Sequence, residues 1–138
     1  MKVLFLCRAN IGRSQMANKL YDQITGEISK GAGTKVSEER QGMKIGEVKG
    51  AENMIPCMKE VGIDISNSEV KQVTQEMVNW ADKIIIMTSK ENVPDFVLES
   101  NKVEFWEIKD PKGTDLPSHS KTREEIKKKI EELLVKSK

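Results

Sequence analysis

Eight consecutive residues carry the densest chemistry in the chain: Cys7, Arg8, Ala9, Asn10, Ile11, Gly12, Arg13 and Ser14. A cysteine, five residues, an arginine and a serine can together bind and attack a tetrahedral oxyanion. A loop that enters a helix turns its backbone N–H groups inward, and the helix N-terminus adds partial positive charge. An anion is therefore held by the amides of Arg8, Ala9, Asn10, Ile11, Gly12 and Arg13. The same field favours a thiolate, which makes Cys7 the expected nucleophile. Arg13 offers a planar fork that can hold two oxygens of the anion. Ser14 can donate a hydrogen bond to the sulfur as it attacks and again as it leaves. Asn10 sits mid-loop, where asparagine tolerates left-handed backbone angles.

The elements around this loop are readable from hydrophobic pattern. Residues 3–6, Val-Leu-Phe-Leu, form an apolar run directly before Cys7, and Met16, Ala17, Leu20, Tyr21 and Ile24 recur at helical spacing after it. Four short runs read as strands, at 2–6, 28–30, 83–87 and 103–106. Helical patterns separate or follow them at 14–24, 54–61, 74–80 and 123–135. This alternation predicts a single α/β domain over residues 1–138, with a four-stranded parallel sheet and helices on both faces. The phosphate-binding loop follows strand one. Ligands of such sheets bind at the carboxyl ends of the strands, where both Cys7 and Asp110 fall. Residues 34–50 are polar and carry Gly42, Gly46 and Gly50, and read as a rim loop, mobile or simply on the surface.

The stretch from Val3-Leu4-Phe5-Leu6-Cys7 through Arg13-Ser14-Gln15-Met16-Ala17 resembles the opening of the low-molecular-weight protein tyrosine phosphatase superfamily, which includes the thioredoxin-linked arsenate reductases. Gly31-Ala32-Gly33 resembles its small-residue turn after strand two. Residues 58–66 resemble the end of its second helix, Trp80-Ala81-Asp82 with Ile84-Ile85-Ile86-Met87 its third helix and strand, and Asp110-Pro111 its general-acid loop. The resemblance gives Asp110 the role of proton donor to the leaving group, a task that accelerates ester cleavage strongly. It gives Asn10 the role of bracing the loop.

The branch within the superfamily is divided. Lys112-Gly113 after Asp-Pro, where the phosphatases typically place aromatic residues, looks more like the reductases. The reductases, however, relay oxidation through two further cysteines beyond the third strand. Here Thr88 stands near the first of those positions and no cysteine follows Cys57. Gly12 also replaces the second loop cysteine of many phosphatases. The expected activity is a cysteine-dependent phosphatase acting on phosphotyrosine or aryl phosphate monoesters through a phosphocysteine intermediate. The alternative is an arsenate reductase that uses an external thiol, and a phosphate-binding module without turnover stands behind both.

Composition agrees with this class. The chain has 138 residues, 37% hydrophobic and 33% charged, with a net charge of +1, so no global field recruits nucleic acid or membrane. No signal peptide or membrane span is visible in the pattern, and two cysteines without a disulfide framework point to the cytoplasm. The expected partners are a phosphorylated protein or small phosphate ester, the oxyanions phosphate, vanadate and arsenate, and an external thiol reductant. Metal-ligand spacings are absent, and the chemistry calls for no cofactor. Cys57 reads as a half-buried inert thiol beside an awkward Pro56, and His119 as a solvent-facing loop residue.

Overall fold

The computed structural model describes residues 1–137. Strand β1 (Val3–Cys7) is followed by helix α1 (Arg13–Thr25), strand β2 (Lys30–Gly33), and helices α2 (Met54–Lys59) and α3 (Gln75–Trp80). Strand β3 (Lys83–Ile86), helix α4 (Asp95–Leu98), strand β4 (Val103–Phe105) and helix α5 (Leu116–Lys136) complete the chain. The sheet order is β2-β1-β3-β4, and every pairing is parallel, with Leu4 opposite Lys30 and Ile84, and Ile86 opposite Phe105. Parallel strands covered on both faces are apolar throughout, and β1 has every residue buried. Alternate side chains feed two cores. Val3, Phe5 and Ile85 pack with Leu20 of α1, Met54 and Met58 of α2 and Ile126 and Ile130 of α5. Leu4, Leu6, Ile84 and Ile86 pack with Val78 of α3 and Val97 of α4.

Helix α1 stops at Gly26, whose left-handed φ of 74° allows its N–H to reach the Asp22 carbonyl. Strand β2 lies at Lys30–Gly33, later than its hydrophobic signal suggested, and Ile28 is 80% exposed. The strand is built from glycine and alanine because its neighbours approach too closely for larger side chains. A Cβ on Gly33 would lie 2.5 Å from Val36 Cγ2 and 2.7 Å from the Arg8 carbonyl oxygen.

Helix α5 begins at Leu116, well before the apolar periodicity becomes visible at Arg123. Asp115 caps it by accepting from the Ser118 N–H, and Pro117 fits the first turn. His119 is therefore a buried helical residue, not a solvent-facing loop residue. Pro56 causes no kink: it lies in the first turn of α2, where its missing N–H would have had no intrahelical acceptor. Residues 34–50 are not a free rim. Gly42, Ile45 and Gly46 donate backbone hydrogen bonds to Val70, Ser68 and Ser66, and Ile45 and Val48 are buried. Among the described residues no helix is long and apolar enough to cross a membrane.

Arg123 joins α5 to α2. Its Nη1 donates to the Cys57 carbonyl at 2.7 Å and to Glu60 Oε1 at 2.7 Å, and its Nε donates to Glu124. The Cys57 carbonyl belongs to the last turn of α2, where carbonyls lack intrahelical partners. Arg123→Ala leaves it orphaned beneath α5, and the expected loss is about 2 kcal/mol. Urea unfolding of the two proteins at neutral pH measures it.

Candidate active site

The loop between β1 and α1 is held open from below. Asn10 adopts φ 57°, the only non-glycine residue with positive φ among those described, and turns the chain back on itself. Its side chain then fixes the turn: Nδ2 donates to Ser14 Oγ at 2.7 Å, and Oδ1 accepts from the Lys71 N–H at 2.9 Å. Gln15 Nε2 donates to the Asn10 carbonyl at 3.1 Å and to the Glu69 carbonyl at 3.2 Å, while Gln15 Oε1 accepts from Ser68. Thr34 and Lys35 donate their N–H groups to the Cys7 and Arg8 carbonyls. The carbonyls of Cys7, Arg8, Asn10 and Gly12 are thus all engaged by other groups. No backbone N–H from Arg8 to Arg13 has an acceptor among the described residues. Six successive donors left unpaired between a strand end and a helix start can serve as an anion cradle.

Cys7 lies at the base of this cradle, and its Sγ is 3.0 Å from Ser14 Oγ. Because Asn10 already donates to Ser14, the serine hydroxyl hydrogen is free to point at the sulfur. Arg13 opens α1, and its Nη1 donates to the carbonyls of Met87 and Ile108, the latter at 3.1 Å. The guanidinium is thereby fastened to the carboxyl ends of β3 and of the segment after β4. Its Nη2 is 3.6 Å from Asp110 Oδ2, a pair whose carboxylate side is half exposed and so adds little stability. Asp110 Oδ1 also accepts from the Lys112 N–H. Cys7, Ala9, Ile11, Gly12, Arg13 and Asp110 line one cleft, whereas Arg8, Asn10 and Ser14 are not among its lining residues.

Several contributors carry no sequence signal of their own. Gln15, Ser68 and Lys71 brace the loop only because the fold brings residues 66–71 beside it. His119 lines the same cleft. Its Nδ1 lies 2.9 Å from the Asp115 carbonyl and 3.1 Å from Thr114 Oγ1, which itself donates to the Pro111 carbonyl. Asn53 donates to the Thr114 carbonyl at 3.0 Å. The first turn of α5 and the start of α2 therefore pin the loop that carries Asp110. Only the helical reading of 116–122 could have revealed this.

Cys57 is buried completely rather than by half. Burial pushes its thiol up, against the weaker opposing pull of Ser120 and Arg123.

A four-stranded parallel sheet with an amide cradle opening its first helix defines a phosphatase-like class of α/β protein. Within that class, residues 2–138 match the low molecular weight phosphotyrosine protein phosphatase family, and the chain belongs to it. It is 32% identical over 133 residues to arsenate reductase 1 of Staphylococcus haemolyticus, covering 94% of this chain and 92% of that one. It is 29% identical over 136 residues to a glutaredoxin arsenate reductase of Synechocystis, covering 98% and 97%. Among solved structures it superposes on a low molecular weight protein tyrosine phosphatase from T. tengcongensis with a TM-score of 0.78. That pair shares 26% identity, with 99% of both chains covered. It also superposes on the YwlE arginine phosphatase of Geobacillus stearothermophilus with a TM-score of 0.76 at 25% identity, covering 98% and 91%.

Two outcomes follow from this geometry. Gly33→Ala forces the backbone of Arg8 and Ala9 to move, so vanadate affinity falls by about tenfold or more, a change of about 1.4 kcal/mol. Titration of folded protein measures it. Iodoacetamide in excess labels Cys7 in the native protein and reaches Cys57 only after unfolding, as peptide mass mapping shows.

Proposed function

We propose that this protein is a cysteine-dependent phosphatase of phosphotyrosine or aryl phosphate monoesters. The single observation that carries the reading is the run of six amides, Arg8 to Arg13, without a protein acceptor directly after Cys7, with the Ser14 hydroxyl 3.0 Å from the Cys7 sulfur. An oxyanion bound there satisfies donors that the protein leaves open. Their orientation is fixed before substrate arrives, so little reorganisation opposes charge build-up in the transition state. Phosphate, vanadate and arsenate are the ions that suit such a cradle.

In the first step the Cys7 thiolate attacks phosphorus, an S–P bond forms and the ester P–O bond breaks. Arg13, held by the Met87 and Ile108 carbonyls, offers its remaining N–H groups to two equatorial oxygens. Asp110 gives its proton to the departing alkoxide or phenoxide. In the second step Asp110 takes a proton from water, whose oxygen attacks phosphorus. The S–P bond breaks and the thiolate returns, stabilised by the Ser14 hydroxyl. Inorganic phosphate leaves, and no redox change has occurred. The substrate is a phosphorylated protein or a small ester, and a reducing cytoplasm suits an enzyme that depends on a free thiolate.

A second reading is favoured by the 32% identity to staphylococcal arsenate reductases and by Lys112-Gly113 after Asp110-Pro111. Arsenate would then form an ester on Cys7. An external thiol would attack that sulfur, release arsenite by two-electron reduction and leave a mixed disulfide for a second thiol to resolve. Cys57 is unsuited to this relay, being buried behind Ser120 and Arg123.

The deciding experiment compares hydrolysis of aryl phosphate and phosphotyrosine with hydrolysis of phosphoarginine. It also measures arsenate reduction with thioredoxin, glutaredoxin or glutathione supplied. Aryl phosphate turnover without thiol supports the phosphatase reading, and thiol-dependent arsenite release without it overturns that reading. Cys7→Ser abolishes turnover and retains vanadate binding. Arg13→Lys loses at least about a hundredfold in kcat/KM, because an ammonium cannot span two oxygens. Asp110→Asn slows substrates with poor leaving groups most, since a good phenoxide departs without a proton. Equal losses across a leaving-group series would assign Asp110 a structural role instead.

A further inference from the structure

The mouth of the cleft carries charge that phosphate binding does not use. Arg40, Lys49 and Lys112 line it beside Ile11, Met54 and Pro111. None of these three cations has a carboxylate within 4 Å among the described residues. Asp110, the one acidic residue lining the cleft, is already 3.6 Å from Arg13. Glu52, two residues beyond the cleft-lining Gly50 in sequence, accepts from the Gly50 N–H, which with the Lys49 charge holds its carboxyl below the usual range. A whole-chain net charge of +1 makes this local excess a property of the site and not of the surface at large. Like charges gathered at one cleft repel one another until an anion enters between them.

A single phosphoryl group is accommodated by the six amides and Arg13. The three remaining cations come from elsewhere in the fold. Arg40 and Lys49 lie on the connection from β2 to α2, and Lys112 on the loop from β4 to α5. Ile11, Met54 and Pro111, apolar side chains suited to an aromatic ring, line the same cleft.

We infer that the cleft selects phosphomonoesters whose leaving group bears further negative charge, in the form of a phosphotyrosine flanked by acidic residues. Arg40, Lys49 and Lys112 read the flanking carboxylates. Origins on two separate loops suit charges spread along an extended peptide better than one compact second anion. The inference rests on the phosphatase reading and names the substrate class of the same site.

Two phosphotyrosine peptides of equal length, one with aspartate and glutamate flanks and one with lysine flanks, test it against p-nitrophenyl phosphate as reference. At low ionic strength kcat/KM for the acidic peptide exceeds that for the basic one by roughly tenfold, the sum of several exposed charge pairs. The ratio falls toward one in molar salt, where screening acts within about 3 Å. It also falls toward one in folded Arg40→Gln/Lys49→Gln/Lys112→Gln protein. A ratio near one at low salt, or a ratio that survives the triple substitution, overturns the inference. Wild-type turnover of p-nitrophenyl phosphate separates the two failures: without it the phosphatase reading falls, and with it only the charge selection does.

Discussion

Everything in this molecule that concerns chemistry depends on keeping six backbone donors unpaired at one point. Buried N–H groups without acceptors are costly, and folded chains rarely tolerate even one. Here the open cleft leaves Arg8 exposed and Ala9, Ile11 and Gly12 half-buried, and several nearby acceptors are already committed elsewhere. The Cys7 and Arg8 carbonyls accept from Thr34 and Lys35, and the Asn10 carbonyl accepts from Gln15. Asn10 turns the chain through φ 57° and pins it with both ends of its amide. The loop cannot close on itself, so its donors remain available to an anion.

The sheet makes that arrangement rigid. β1 lies inside the sheet, paired on both sides, and its apolar residues feed two separate cores. Its carboxyl end is therefore fixed on both faces before the loop begins. α5 serves both purposes. Its apolar stripe of Ile126, Ile130 and Leu133 closes one core, while its first turn, through His119 and Asp115, holds the loop of Asp110. Arg13 ties the cradle to the ends of β3 and of the segment after β4. The Cys7 thiol and the Arg13 guanidinium at the two ends of one loop are thus set against a carboxylate from a distant segment, and the sheet registers them against each other.

The two cysteines show how environment divides one functional group into two. Cys7 ends a strand beneath open amides and beside a serine hydroxyl. Cys57 sits in α2 under α5, where burial pushes the thiol up and Arg123 spends its hydrogen bonds on the Cys57 carbonyl and Glu60. Similarity to arsenate reductases therefore extends over the fold, while the internal thiol relay lacks its further cysteines. Reductase chemistry on this scaffold needs electrons delivered from outside.

The sequence alone determined the loop, the parallel sheet and the grouping of Cys7 with Arg13 and Ser14, while Asp110 joined them only through its place at the strands' carboxyl edge and the family resemblance. These are local or strongly periodic signals: an apolar run, a motif of fixed spacing and an amphipathic helix directly after it. What it could not determine depends on contacts between distant segments. β2 is legible only as glycines that admit the Arg8 carbonyl and Val36, because its residues are chosen for clearance and not for burial. The first turn of α5 shows no apolar periodicity, so the pattern does not reveal that Asp115 caps the helix and that His119 is buried in it. The bracing by Gln15, Ser68 and Lys71 likewise has no pattern, since hydrogen bonds between segments more than 50 residues apart leave none. Apolar periodicity records which face of an element is buried; which polar atoms meet across the core is decided only when the elements pack.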